Sequence, residues 1–112
     1  MAYKSIVAMV KPDLTDTVIK SAKKAGATGA TIIPASGTGA HEAKTFFGLS
    51  LDIRTDVIII LAEDIIVEPV LKAIKEAGRF SEPGTGIAFV LAVEQTAGFE
   101  TVSYTHLTLP TN

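Results

Sequence analysis

The chain has 112 residues, enough for one hydrophobic core but too few for two ordinary domains. Its 47% of hydrophobic and 20% of charged residues are typical of a globular protein. The net charge of -2 argues against direct binding to nucleic acid, and the absence of cysteine excludes disulfides and thiolate zinc sites. No long apolar stretch follows the first residues, so we expect a cytoplasmic protein that does not insert into a membrane.

The first predicted elements are a strand and a helix. Residues 5–10 form a run rich in Ile and Val, and Pro12 closes it because proline cannot donate to a strand ladder. In residues 13–25 apolar side chains recur every three or four positions, which predicts an amphipathic helix. Asp13 or Thr15 is a suitable N-cap for this helix, and Gly26 supplies a left-handed residue that ends it.

A second strand is predicted at residues 30–34, and a long loop follows it to about residue 55. Long loops without clear structure of their own are usually functional. The third strand is predicted at residues 57–62. A second helix follows at residues 69–77, with Pro69 in its first turn and Gly78 at its end. A polar turn over residues 79–86 leads into the last strand at residues 87–93. The buried stripe of the second helix is predicted to be Val70, Leu71, Ile74 and Ala77.

This order of elements predicts the α+β class. Strand, helix, strand, strand, helix, strand is the ferredoxin-like βαββαβ sandwich, with two helices on one face of a four-stranded antiparallel sheet. The strands are apolar on both faces instead of alternating, and a bare apolar sheet face promotes aggregation. We therefore expect copies of the same chain to cover that face, although the pattern does not determine their number.

Candidate catalytic residues are few. The sequence has no nucleophilic cysteine, and its histidines, His41 and His106, lie in the long loop and in the C-terminal tail. His41 next to Glu42 is half of a metal site at most and is more simply a solvated pair. We expect no catalytic residues, no metal site and no enzymatic activity.

Two glycine-rich turns are better candidates for binding. Their backbone amides are suited to anionic oxygen atoms, although turns that only need positive φ have the same composition. Neither turn carries the lysine of a phosphate-binding P-loop. The turns are Gly37-Thr38-Gly39 after the second strand and Gly84-Thr85-Gly86 before the last.

Four segments in order resemble the nitrogen-regulatory PII signal proteins over residues 3–97. They are Lys11-Pro12, residues 26–31 (GATGAT), Gly37-Thr38-Gly39, and residues 83–89 (PGTGIAF) running into Val93-Glu94. The resemblance implies a homotrimer with strands inside and helices outside. It also implies clefts between subunits that bind an adenine nucleotide, and a protruding loop, the T-loop at about residues 40–55, that docks on a partner. We assign residues 1–101 to this domain, with a second loop, the B-loop, at about residues 79–86.

The resemblance also assigns roles to single residues. Thr31 corresponds to a threonine that reads the adenine, and Met9, Ile58 and Ile60 correspond to strand positions that line the base. For Met9, Ile58 and Ile60 an ordinary core position is an equal alternative. For Thr31 the alternative is a strand threonine that satisfies its own hydroxyl. The two glycine-rich turns, Gly37-Thr38-Gly39 and Gly84-Thr85-Gly86, correspond to the T-loop entry and to the phosphate-wrapping B-loop.

Several residues depart from the family pattern. Nitrogen-sensing members have a lysine after the B-loop and two arginines after the last strand, where this chain has Ile87, Gly98 and Glu100. Each charged hydrogen bond to a phosphate contributes roughly 1.5–3 kcal/mol, so their loss predicts much weaker ATP binding. No cofactor is obligatory, and AMP, ADP, a small anion or bicarbonate is the expected ligand. The cations that can compensate in part are Lys44, Arg54 and Arg79.

The T-loop departs as well. His41 replaces the glutamine that helps to hold magnesium and 2-oxoglutarate, and Phe46 and Phe47 occur in a loop that lacks the modifiable tyrosine. Uridylylation and 2-oxoglutarate sensing are therefore not expected. Aromatic residues at a loop tip are good interface anchors, so His41, Lys44, Phe46 and Phe47 are the predicted partner contacts. The resemblance makes a membrane transporter or a regulated enzyme the expected partner.

Residues 102–112 (VSYTHLTLPTN) have no counterpart in the family pattern. They look like the translation of a common sequencing adapter, and a native disordered tail is the alternative.

Two other functions remain open for the domain. One is a CutA-like trimer linked to divalent-metal tolerance, which predicts metal binding at His41. The other is an acylphosphatase-like hydrolase, which needs an arginine near the first loop that this chain lacks.

Overall fold

The protein is described by a computed structural model that covers residues 2–36, 45–46, 49–50, 54–82 and 84–98. Its elements in chain order are β1 (Tyr3–Val10), a 3-10 turn (Pro12–Leu14), α1 (Thr15–Lys24), β2 (Thr31–Ala35), β3 (Thr45–Phe46), β4 (Leu49–Ser50), β5 (Thr55–Glu63), α2 (Asp64–Ala77) and β6 (Gly86–Ala92).

The main sheet is antiparallel and has the strand order β2-β5-β1-β6. The predicted ferredoxin-like α+β sandwich is thereby confirmed. The core lies between this sheet and the two helices, because α1 and α2 both place an apolar stripe on the same sheet face. Its largest fully buried side chains are Ile6, Val10, Val18, Ile58, Ile60, Val70 and Ile74.

The start of α1 differs from the sequence prediction. Residues 12–14 form the 3-10 turn, closed by the N–H of Leu14 donating to the Lys11 carbonyl at 2.8 Å. Leu14 is the N-cap residue of α1, and no side chain caps the helix, so the predicted caps Asp13 and Thr15 are wrong. The hydroxyl of Thr15 instead donates to Oδ2 of Asp56 at 2.6 Å, because it is buried beside the start of β5. The predicted end holds, since Gly26 has a φ of +126°.

The second helix begins at Asp64, so the predicted start at Pro69 is wrong and Pro69 lies inside α2. Ile66 and Val67 pack against the core, and this burial favours a helix despite the missing proline N–H. The predicted buried stripe is confirmed, since Val70 and Ile74 are fully buried while Leu71 and Ala77 pack against them.

The face of the sheet opposite the helices is mostly apolar. Successive strand residues point to opposite faces, so the register assigns alternate residues of each strand to this side, which we call the open face. Leu61 and Leu91 keep 38% and 51% of their surface exposed there. By this register the open face comprises Tyr3, Ser5, Val7, Met9, Thr31, Ile33, Ala35, Thr55, Val57, Ile59, Leu61, Glu63, Ile87, Phe89 and Leu91.

Candidate functional site

Met9 and Thr31, two of the predicted ligand contacts, lie on the open face. Met9 is half-buried near the end of β1 and pairs with Val57 on one side and Ile87 on the other. Thr31 begins the edge strand β2, is exposed, and pairs with Ile59. Both side chains are therefore on the side of the sheet that the helices leave uncovered.

Ile58 and Ile60 lie on the other side of the sheet. They are 0% and 1% exposed and pack in the core beneath the helices. Both side chains are therefore core residues in this structure, as the alternative interpretation of the sequence expected. A side chain that is fully buried under α1 and α2 is not accessible from the open face. A ligand beside Met9 would contact the neighbouring strand residues Val57 and Ile59 instead.

The B-loop is held together by the carbonyl oxygen of Arg79. It accepts hydrogen bonds from the Glu82 N–H at 2.9 Å and from the Thr85 hydroxyl at 2.6 Å. The same hydroxyl also lies 3.0 Å from the Glu82 carbonyl. Thr85 is 7% exposed, so its side chain closes the loop, and its contact with a ligand would have to come from the backbone.

The backbone conformation of the B-loop needs special residues. Gly84 has a φ of +77°, and Arg79 has a φ of +56°, which is uncommon for a residue with a side chain. The Phe80 N–H donates to the Lys75 carbonyl at 3.1 Å and connects the loop to the last turn of α2. Such backbone strain is often found at ligand sites, where the surrounding structure compensates for it.

The end of the B-loop is packed against the end of β1. A Cβ atom added to Gly86 would lie 2.5 Å from the Met9 carbonyl oxygen and 2.6 Å from Cε1 of Phe80. Only glycine permits this approach, because real Cβ contacts are longer. The fold thus brings together Met9 and the glycine-rich turn, two features that are far apart in the sequence.

The contribution of Phe80 was missed by the sequence analysis. Its ring packs over Gly78 and Gly86 and against the core. The available signal was a single aromatic residue in a polar turn with glycines on both sides. The partnership of Thr15 with Asp56 was missed as well, since 41 positions separate them in the chain.

Most of the predicted T-loop residues lie outside the described residues. These are Gly37, Thr38, Gly39, His41, Lys44 and Phe47. Phe46 is described in its backbone alone, where β3 pairs with β4 in antiparallel register, Phe46 opposite Leu49. The tail at residues 102–112 also lies outside the described part of the chain.

The B-loop contains two charged side chains, Arg79 and Glu82. Arg79 and Arg54 are exposed, whereas Ile87, at the position of the family lysine, is half-buried in β6. Gly98 is exposed with a φ of +89°, and Glu100 lies outside the described residues.

Within the described residues, no group of three or more His, Asp or Glu side chains is arranged to hold a metal ion. None of the helices described is long and apolar enough to cross a membrane.

Comparison with known proteins identifies the family. The family model described as "Nitrogen regulatory protein P-II" matches residues 3–102. The chain is 29% identical over 103 residues to the nitrogen regulatory protein P-II of Rhodospirillum rubrum, covering 88% of this chain and 92% of that protein. The P-II protein of Azospirillum brasilense matches with the same identity and coverage.

The fold is similar to that of a solved P-II structure. The Arabidopsis thaliana PII protein bound to citrate superposes with a TM-score of 0.65 and 27% sequence identity, covering 82% of this chain and 78% of that one. The family match and the shared fold agree with each other. The chain belongs to the nitrogen regulatory protein P-II family of signal proteins.

Proposed function

We propose that the protein is a homotrimeric PII-like regulator that binds a small ligand between subunits and controls a partner through its T-loop. The observation that carries this proposal is the B-loop, whose strained backbone is held by Thr85 and pressed against Met9. A rigid glycine-bearing loop beside an uncovered strand end suits a ligand with anionic oxygen atoms.

The trimer part of the proposal is supported by the open face. An apolar sheet face that includes the partly exposed Ile33, Leu61 and Leu91 is favourable only when another surface covers it. Copies of the same sheet provide such a surface by symmetry. Ligand clefts between subunits would then lie near Met9 and Thr31, and would include the T-loop entry Gly37-Thr38-Gly39.

The ligand is proposed to carry fewer charges than ATP. Ile87 and Gly98 are not cations, and Arg79 is the described cation of the B-loop itself. AMP, ADP, bicarbonate and small carboxylates fit this charge better than a triphosphate. The Arabidopsis relative is bound to citrate, which is consistent with a small anionic ligand.

The partner is proposed to be a membrane transporter or a regulated enzyme. Phe46 and Phe47 are the proposed anchors, with His41 and Lys44 beside them. Replacing both phenylalanines by alanine should abolish co-purification of the partner from a lysate while leaving ligand binding intact. Loss of ligand binding in that variant would show that the loop belongs to the ligand site instead.

Thermal-shift measurements test the ligand proposal. AMP, ADP, ATP, cyclic nucleotides, bicarbonate, citrate and 2-oxoglutarate are compared, because a ligand that binds only the native state raises its melting temperature. Stabilisation by AMP, ADP or a small anion supports the sensor. If only divalent metals stabilise the protein, the CutA-like function replaces it. That this regulator has no enzymatic activity and acts in the cytoplasm stays a prediction.

A further inference from the structure

A cleft lies between the C-terminal half of α2 and the start of β6, and it is bordered by the B-loop. Its volume is about 310 Å³. This lies at the lower end of the range for small-molecule sites, roughly 300–1,000 Å³. It is lined by Leu71, Lys75, Phe80, Gly86, Ile87 and Ala88.

One wall of the cleft is preorganised. The ring of Phe80 packs against Gly78 and Gly86, where a side chain at either position would collide with it. The Phe80 N–H bond to the Lys75 carbonyl fixes the backbone of the same residue. A wall that is already ordered loses little conformational entropy when a ligand binds.

The chemistry of the lining is amphipathic. Leu71, Phe80, Ile87 and Ala88 are apolar, and Lys75 is the one charged residue among the lining residues. Within the described part of the chain Lys75 makes no ion pair, since the pair found there joins Lys4 to Asp64 at 3.8 Å. A ligand with an apolar body and one carboxylate would complement both features.

We propose that this cleft binds a small monocarboxylate with a short aliphatic or aromatic body. At roughly 30 Å³ for each water-sized group, the cleft holds about ten non-hydrogen atoms. The carboxylate pairs with the ammonium group of Lys75, and the body packs between Leu71 and the Phe80 ring. Lys75 and Leu71 lie on α2, so the carboxylate would bind on the helix side of the sheet, whereas Met9 and Thr31 lie on the open face. Gly86 and Ile87 border both sites.

Hexanoate is the probe, and the uncharged isostere hexanamide is its control. NMR titration of the full chain should show saturable shifts centred on residues 71, 75, 80 and 86–88. Hexanamide should bind about tenfold more weakly, because it lacks the charge-assisted bond to Lys75. Equal binding of the two probes, no saturable shift, or shifts centred elsewhere would overturn the proposal.

Two lysine variants assign the charge. Lys75→Met should weaken hexanoate binding about tenfold. Lys72→Met removes an exposed lysine one turn earlier on α2 that does not line the cleft, and it should bind as the parent does. If both variants bound hexanoate equally weakly, the effect would come from general surface charge, and the proposed site at Lys75 would be refuted.

A competition experiment separates this cleft from the nucleotide site. Saturating AMP should leave the affinity for hexanoate unchanged. Displacement of hexanoate by AMP would mean that both occupy one site, which would contradict this proposal while leaving the regulator function in place.

Discussion

The hydroxyl of Thr85 donates a 2.6 Å hydrogen bond to the carbonyl oxygen of Arg79. This bond spans the B-loop and fixes a backbone that contains a left-handed arginine. The side chain of Thr85 therefore has a structural role, and the predicted ligand contact of this residue stays with its backbone amide.

Replacing Thr85 by valine should destabilise the protein by about 1–2 kcal/mol, because a buried hydroxyl that bonds to the Arg79 carbonyl is lost without a change in volume. Thr85→Ser keeps the hydroxyl and should lose less than half as much. Urea unfolding at one fixed protein concentration measures both variants. Equal stability of the valine variant and the parent would mean that the bond contributes nothing.

Gly86→Ala should be severely destabilising, by more than about 2 kcal/mol, because the new Cβ would lie 2.5 Å from the Met9 carbonyl oxygen. Gly29→Ala is the matched control, since nothing lies within 4 Å of its added Cβ and its φ is not positive. That control should be neutral or slightly stabilising, by up to about 1 kcal/mol. Similar melting temperatures for the two variants would contradict the close approach of the B-loop to β1.

Thr15 and Asp56 should show a large coupling energy in a double-mutant cycle. Their 2.6 Å bond joins the start of α1 to the start of β5, and charge-assisted hydrogen bonds are worth about 1.5–3 kcal/mol. The variants are Thr15→Val, Asp56→Ala and the double variant. Additive losses in denaturant unfolding, without coupling, would show that the pair does not act as a unit.

Ile74→Ala should cost about 2–5 kcal/mol, because Ile74 is 0% exposed and the substitution leaves a cavity beneath α2. Ile65→Ala on the same helix is the control. Ile65 is 80% exposed, so its truncation should change the free energy of unfolding by less than about 0.5 kcal/mol. A comparable loss for both would place Ile65 in a contact with another subunit.

Leu61→Lys should dissociate the proposed trimer, because it introduces a charge on the open face. Leu61 is 38% exposed in the single chain, so the subunit itself should still fold. Ile65→Lys, on the helix side of the molecule, should leave the assembly intact. Light scattering coupled to size-exclusion chromatography measures both masses, and a trimer of the Leu61→Lys variant would argue against the open face as the contact surface.

Elements with strong local patterns were predicted well from the sequence. The apolar period of residues 13–25 identified α1, and Gly26 marked its end because few other residues tolerate a φ of +126°. The βαββαβ order then implied the sandwich. Helix boundaries that depend on burial were predicted less well. The helix α2 begins at Asp64, five residues before the predicted start, because Ile66 and Val67 pack against the core.

The candidate site also has features that local sequence patterns predicted and features that only the folded structure shows. Glycine spacing identified the turn Gly84-Thr85-Gly86, since backbone freedom is a local property of the chain, and the family resemblance assigned this turn to the B-loop. By itself the sequence determined the order of the elements, the apolar strands and the family pattern, all of which depend on near neighbours. Only the tertiary structure decided that Ile58 is core while Met9 faces outward, that Thr85 closes its own loop, and that Phe80 and Lys75 share a cleft. The faces of Ile58 and Met9 depend on strand register, which pairs residues distant in the chain. The contacts of Thr85 and Phe80 depend on how the B-loop folds back on itself and onto the end of α2.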